Sequence, residues 1–84
     1  MTSYSCPVCG FAGLYAPPYD EMGCASFDIC PCCGTEFGYD DSKTSHSELR
    51  RRWIGAGALW SNRTVNAPPA WDAIRQMRSA GLHD

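Results

Sequence analysis

The feature that most restricts this chain is a repeat. Cys6-Pro7-Val8-Cys9-Gly10-Phe11 recurs 24 residues later as Cys30-Pro31-Cys32-Cys33-Gly34-Thr35, with Phe37 shortly after. A C-x-x-C pair lets two sulfurs of one tight turn reach the same point. The Pro presets φ for the turn, and the Gly accepts a positive φ that other residues resist. Backbone N–H groups in such a turn can point at the sulfurs and stabilise their charge. Two pairs separated by 20 residues match the C-x₂-C…C-x₂-C spacing of a structural zinc site, in which four thiolates form a tetrahedron. The candidate ligands are Cys6, Cys9, Cys30 and Cys33, for one Zn²⁺ per chain. Two units make a pseudo-symmetric clamp, since a solenoid needs about three or more.

Length points the same way. Eighty-four residues fit one small domain, 1–84, and chains of this size usually need a disulfide or a metal as a staple. Met1-Thr2-Ser3-Tyr4-Ser5-Cys6 carries no basic or apolar leader, and no stretch approaches the roughly 18 continuous apolar residues of a membrane span. The chain therefore reads as a soluble cytoplasmic protein with no membrane partner. Thiols stay reduced there, so paired cysteines argue for metal or redox chemistry over structural disulfides. Iron in a rubredoxin-like Cys₄ site would use the same ligands and make the chain an electron carrier.

Two cysteines are left over. Cys32 should point away from the metal if Cys30 and Cys33 bind it, and Cys24 lies in a loop. They read as a redox pair or extra ligands, or as two free thiols, one partly buried as a small hydrophobe. His46 and His83 are not at ligand spacing and read as exposed. Asp40 and Asp41 read as solvating a turn before a helix rather than as a cation site. No nucleophile–base set, Gly-rich phosphate loop or HExxH pattern is present, so an enzymatic reading has no residues to rest on.

The rest of the chain divides by charge. Residues 1–42 carry six carboxylates and no Lys or Arg; residues 43–84 carry seven cations against three carboxylates. Either the halves attract each other within one fold, or the second presents a basic surface. Gly13 to Gly23, with Pro17-Pro18 at its centre, reads as a loop. Ser26-Phe27-Asp28-Ile29-Cys30 alternates, which predicts a short half-buried strand with Phe27 and Ile29 inward and Phe37-Gly38-Tyr39 as its return. Ser45 with Glu48 three residues on has capping-box spacing and predicts a helix over 45–56, with Leu49 and Trp53, then Leu59 and Trp60, facing in. Pro69 suits the first turn of a second helix over 69–80, stopped by Gly81, with Trp71, Ile74 and Met77 or Arg78 at helical spacing. The fold expected is a small α+β metal-stapled domain: a zinc-ribbon or rubredoxin-like double knuckle (1–42) with short antiparallel strands, followed by two helices (43–84) packed on it through Leu49, Trp53, Trp71 and Ile74.

The two turns, with Phe27-Asp28-Ile29-Cys30-Pro31-Cys32-Cys33-Gly34 and Glu36-Phe37-Gly38-Tyr39-Asp40-Asp41, resemble the cysteine-rich CPCC family of small bacterial proteins. The resemblance covers about residues 4–42. It implies a zinc-ribbon or rubredoxin-like pair of knuckles and no particular activity. Here the Cys-Pro-Cys-Cys run falls in the second turn, while the first reads Cys-Pro-Val-Cys.

Two functional classes follow besides the iron carrier. One is an interaction module that docks on a protein through Trp53, Trp60, Trp71, Tyr15 and Tyr19, residue types enriched at binding hot spots. The other is a nucleic-acid-binding ribbon using Arg50-Arg51-Arg52 with Trp53. Against the latter stand the sequence pI near 5.5 and the wholly acidic first half. Three consecutive Arg also spread over about 200° of a helix, which dilutes a patch.

Overall fold

Capping chemistry sets where each helix begins. Ser45 keeps extended backbone (φ −67°, ψ 156°), and its hydroxyl accepts the Glu48 N–H at 3.2 Å. Helix α1 then runs His46–Gly55, as the capping box predicts. The Gly-Ala-Gly run that follows weakens further helix, and the N–H of Ala56 closes the last turn. Helix α2 spans only Ala73–Ser79, shorter than the expected 69–80. Its cap is Asp72, whose carboxylate accepts the N–H groups of Ile74 and Arg75 at 3.0 and 3.2 Å. Ala70 at φ 57° lies outside the right-handed helical region, so Pro69 belongs to a turn and not to the helix.

The computed structural model describes residues 3–82, so His83 lies outside the described residues. Among these residues the expected strands shrink to three isolated antiparallel bridges: Tyr4 with Leu14, Tyr19 with Ala25, and Ile29 with Glu36. Phe27 and Ile29 do not face inward; they are 64% and 60% exposed. Asp28 between them is exposed as well, so no half-buried alternation forms, and only Cys30 turns into the core. Phe27 adds a backbone at φ 60°, a costly conformation for a bulky residue, which breaks any longer strand.

One core joins the two halves. Cys6, Val8, Cys9, Leu14, Cys30, Cys32 and Phe37 from the first half are buried with Trp53 of α1 and Met77 of α2. Leu49, Trp60 and Trp71 pack against this cluster, as the spacing predicts. Ile74 does not; it is 52% exposed, while Met77 one turn later is buried. Leu59 is also exposed, and only its carbonyl is used, accepting the Trp53 indole N–H at 2.9 Å. The aromatic rings form a continuous row. Phe11 meets Trp60 edge-on at 5.4 Å, Trp60 meets Trp71 edge-on at 5.5 Å, and Trp71 meets Trp53 at 6.4 Å.

Trp53 ties this row to the core, so Trp53→Ala should cost about 3–5 kcal/mol in urea unfolding. The same substitution should turn slow tryptic cleavage at Arg51 and Arg52 into fast cleavage, read by mass spectrometry.

Candidate metal centre

The two cysteine turns fold alike, bond for bond. Cys6 N–H donates to Phe11 O at 2.8 Å, and Cys30 N–H to Thr35 O at 2.9 Å. Gly10 N–H donates to Cys6 O at 2.9 Å, and Gly34 N–H to Cys30 O at 2.8 Å. Both glycines have positive φ, 86° and 81°. A side chain at either would also collide with the helical half. A Cβ on Gly10 would lie 2.9 Å from the Ala80 Cβ, and one on Gly34 would lie 2.7 Å from the Ser61 Oγ. The glycines thus serve both the turn and the close approach of what packs on it.

These turns bring the sulfurs of Cys6, Cys9, Cys30 and Cys33 within 4.8 Å of one another. Cys6 Sγ lies 3.8 Å from Cys33 Sγ, and Cys9 Sγ lies 3.7 Å from Cys30 Sγ. A tetrahedron with metal–sulfur bonds of about 2.3 Å has sulfur–sulfur edges of about 3.8 Å. The donor set and spacing therefore fit a thiolate-bound metal ion, and the four cysteines could hold one. Val8 N–H points at Cys6 Sγ at 3.4 Å, the kind of contact that stabilises a thiolate.

Crowding perturbs the thiols strongly. Hydrogen bonding to Cys30 and Cys33 pushes the Cys6 thiol up, and hydrogen bonding to Cys30 and Cys32 pushes Cys9 up, with burial adding to both. Cys33 moves the other way, held down by hydrogen bonds from Cys30, Cys6 and Cys9. For all four to ionise together at this separation, a cation would have to lie between them.

Cys32 is outside the four-sulfur group. In the repeat it occupies the place of Val8, and both are fully buried. Its sulfur accepts the Gln76 amide at 3.3 Å. Cys24 is exposed. Cys32 thus fills the tip of the second turn as valine fills the first.

The helical half grips both tips at matching atoms. Arg50 sends Nε to Val8 O at 2.6 Å and Nη2 to Pro7 O at 2.9 Å. On the second turn, Ser61 N–H meets Cys32 O at 2.9 Å and Asn62 N–H meets Pro31 O at 2.8 Å. Gln76 adds a bond to Cys9 O at 3.0 Å, while its own oxygen accepts the Trp71 indole N–H at 2.9 Å. Arg50 is only 7% exposed and so does not join Arg51 and Arg52 in a surface patch. Those two flank Glu48 at 3.5 and 3.7 Å. Reading Arg50 as part of a basic run missed its role. Its position three residues before Trp53 on the same helix face was the available signal.

The histidine and acidic pair also differ from expectation. His46 is half-buried, and its Nε2 lies 2.8 Å from Asp41, far from ligand duty in the cysteine group. Asp41 also accepts the Gly38 N–H at 2.7 Å, and Asp40 accepts the Glu36 N–H at 2.8 Å. Burial pushes the Asp41 carboxyl up, but hydrogen bonds with His46, Tyr19 and Gly38 outweigh it and hold it below the usual carboxylate range. The same carboxylate raises the Tyr19 hydroxyl. This cluster secures the turn that leads into α1.

Two proteins of Bacillus subtilis (strain 168) are similar to part of the chain. The uncharacterized protein YoaQ is 54% identical over 39 residues, which make up 45% of this chain and 33% of YoaQ. The uncharacterized protein YozI is 45% identical over 40 residues, with the same shares of both chains. The chain matches about a third of the length of each of these relatives. No family model and no solved structure matches it.

Removing the Arg50 fork should leave two turn carbonyls without their partner. Arg50→Ala is expected to cost about 3 kcal/mol in chemical unfolding. Arg50→Lys should recover less than half of that, since one ammonium cannot reproduce the planar two-pronged donor.

Proposed function

We propose that this chain is a zinc-stapled interaction module of the reducing cytoplasm, built on a zinc-ribbon-like pair of knuckles. The observation that carries the reading is the gathering of four cysteine sulfurs within 4.8 Å on two matched turns. Cys6, Cys9, Cys30 and Cys33 would hold the ion. Bound Zn²⁺ supplies no redox chemistry; it neutralises crowded thiolates and cross-links two segments that otherwise share little core. No helix among the described residues is long and apolar enough to cross a membrane.

A protein partner fits the surface better than nucleic acid does. Arg50 is committed to the first cysteine turn, and Arg51 and Arg52 flank Glu48, so the Arg run forms no shared basic face. Large apolar side chains stand exposed instead, among them Tyr15, Phe27, Ile29 and Tyr39. Of these, Tyr15 and Ile29 border one groove, and aromatic side chains are enriched at protein contacts.

Metal analysis of the purified protein tests the metal. One zinc per chain and a colourless solution are expected; a red protein with one iron would identify an electron carrier instead. Ser at Cys6, Cys9, Cys30 or Cys33 should abolish stoichiometric metal. Ser at Cys24 or Cys32 should keep it, at a cost of about 1–2 kcal/mol for the buried Cys32. A Cys32→Ser protein without zinc beside a Cys33→Ser protein with it would reverse the ligand assignment. Structural zinc contributes on the order of 10–16 kcal/mol of apparent binding free energy near neutral pH, so stripping it should collapse the near-UV circular dichroism. Protons compete for the thiolates, so metal affinity should fall as pH is lowered.

A further inference from the structure

The two hairpins that carry the cysteine turns each have an open backbone edge, and both edges border one groove. Around Ile29, the bonds run from Cys30 N–H to Thr35 O and from Phe37 N–H to Asp28 O, at 2.9 and 3.1 Å. Ile29 and Glu36 are therefore a non-hydrogen-bonded pair, and their own N–H and C=O groups point away from each other. On the Glu36 side these groups are covered. The Asp40 carboxylate accepts the Glu36 N–H, and Glu36 O accepts the Asp40 N–H at 2.9 Å. On the Ile29 side no hydrogen bond covers them among the described residues. In the first hairpin, Tyr4 and Leu14 exchange both bonds at 3.0 Å, which turns the backbone groups of Gly13 and Tyr15 outward.

Gly13, Tyr15 and Ile29 all line a groove of about 470 Å³ whose walls include Phe11, Phe37 and Val65. The wall is mostly apolar, and Tyr15 is 94% exposed. Asp28 is the only charged residue lining it, and its carboxylate makes no ion pair among the described residues. Open strand edges beside an apolar groove are the elements used when a peptide adds as a strand.

We infer that this groove takes an extended peptide segment of a partner protein, laid as a strand between the two hairpins with a Lys or Arg against Asp28. The segment pairs its backbone with Ile29 on one side and with Gly13 and Tyr15 on the other. Alternate apolar side chains enter the groove, and Pro is excluded at the paired positions because it lacks the N–H. This names the chemistry of the partner in the interaction-module reading and rests on that reading.

The test is a selection of random nine-residue peptides displayed on phage, made on the full-length protein as purified, with its metal content measured in parallel. Enriched peptides should alternate apolar residues, carry a Lys or Arg, and perturb the amide resonances of Gly13, Tyr15 and Ile29. In synthetic copies, N-methylation of any of the three successive amides that pair with Ile29, Gly13 and Tyr15 should weaken binding by about tenfold or more, while N-methylation at the peptide ends, beyond these edges, should leave it. Asp28→Lys should weaken the cationic peptides by about threefold to fivefold. Absence of enrichment on metal-loaded protein would overturn the groove alone. So would binders insensitive to N-methylation, or binders whose shifts map elsewhere. Metal-free protein that still selects alternating peptides at these amides would overturn the zinc reading and leave the groove standing.

Discussion

Four thiol sulfurs within 4.8 Å of one another impose the order of everything around them. To converge, each cysteine turn must bend tightly, and a tight turn leaves carbonyls pointing outward from its tip. Those carbonyls lose much of their contact with water once a second layer covers the turns. Buried polar groups need partners. Arg50 supplies them for Pro7 and Val8, and the backbone of Ser61 and Asn62 supplies them for Pro31 and Cys32. The helical half is thus more than a lid of apolar side chains; it completes the hydrogen bonding that the cysteine turns leave open. The four cysteines could hold a metal ion, the kind of cation that lets four thiolates share so small a volume.

The internal repeat explains which side chains are free for other work. Equivalent positions carry equivalent tasks: Cys6 and Cys30, Cys9 and Cys33, Gly10 and Gly34. Val8 and Cys32 are the buried tips. Under this symmetry the fifth cysteine of the cluster region needs no redox role; a small buried side chain is what its place demands. The symmetry ends at the helical half. One tip is held by a side chain of α1, and the other by the backbone of the segment after it.

The price of pointing the sulfurs inward is an apolar outer face. Phe27, Asp28 and Ile29 are all exposed beside the buried Cys30. Ile29 lines one groove with Tyr15 and Val65.

Much of the local structure was legible in the sequence. Cysteine spacing named the four sulfurs that converge, Ser45 and Glu48 marked the start of α1, and the tryptophans marked the packing surface. Each of these is a short-range pattern whose physics is settled within a few residues. The rest was decided by contacts across the chain. The exposure of Phe27 and Ile29 was not settled locally, since period-two alternation alone does not distinguish inside from outside. The start of α2 depended on Ala70 taking φ 57°, which left Asp72 to cap, and packing against the cysteine half buried Met77 and not Ile74. Arg50 read as one cation among three until the fold set two orphaned carbonyls against it. The sequence by itself determined which four cysteines converge and where the first helix starts; the tertiary structure decided which faces are buried, because burial is a property of what lies opposite and not of the segment alone.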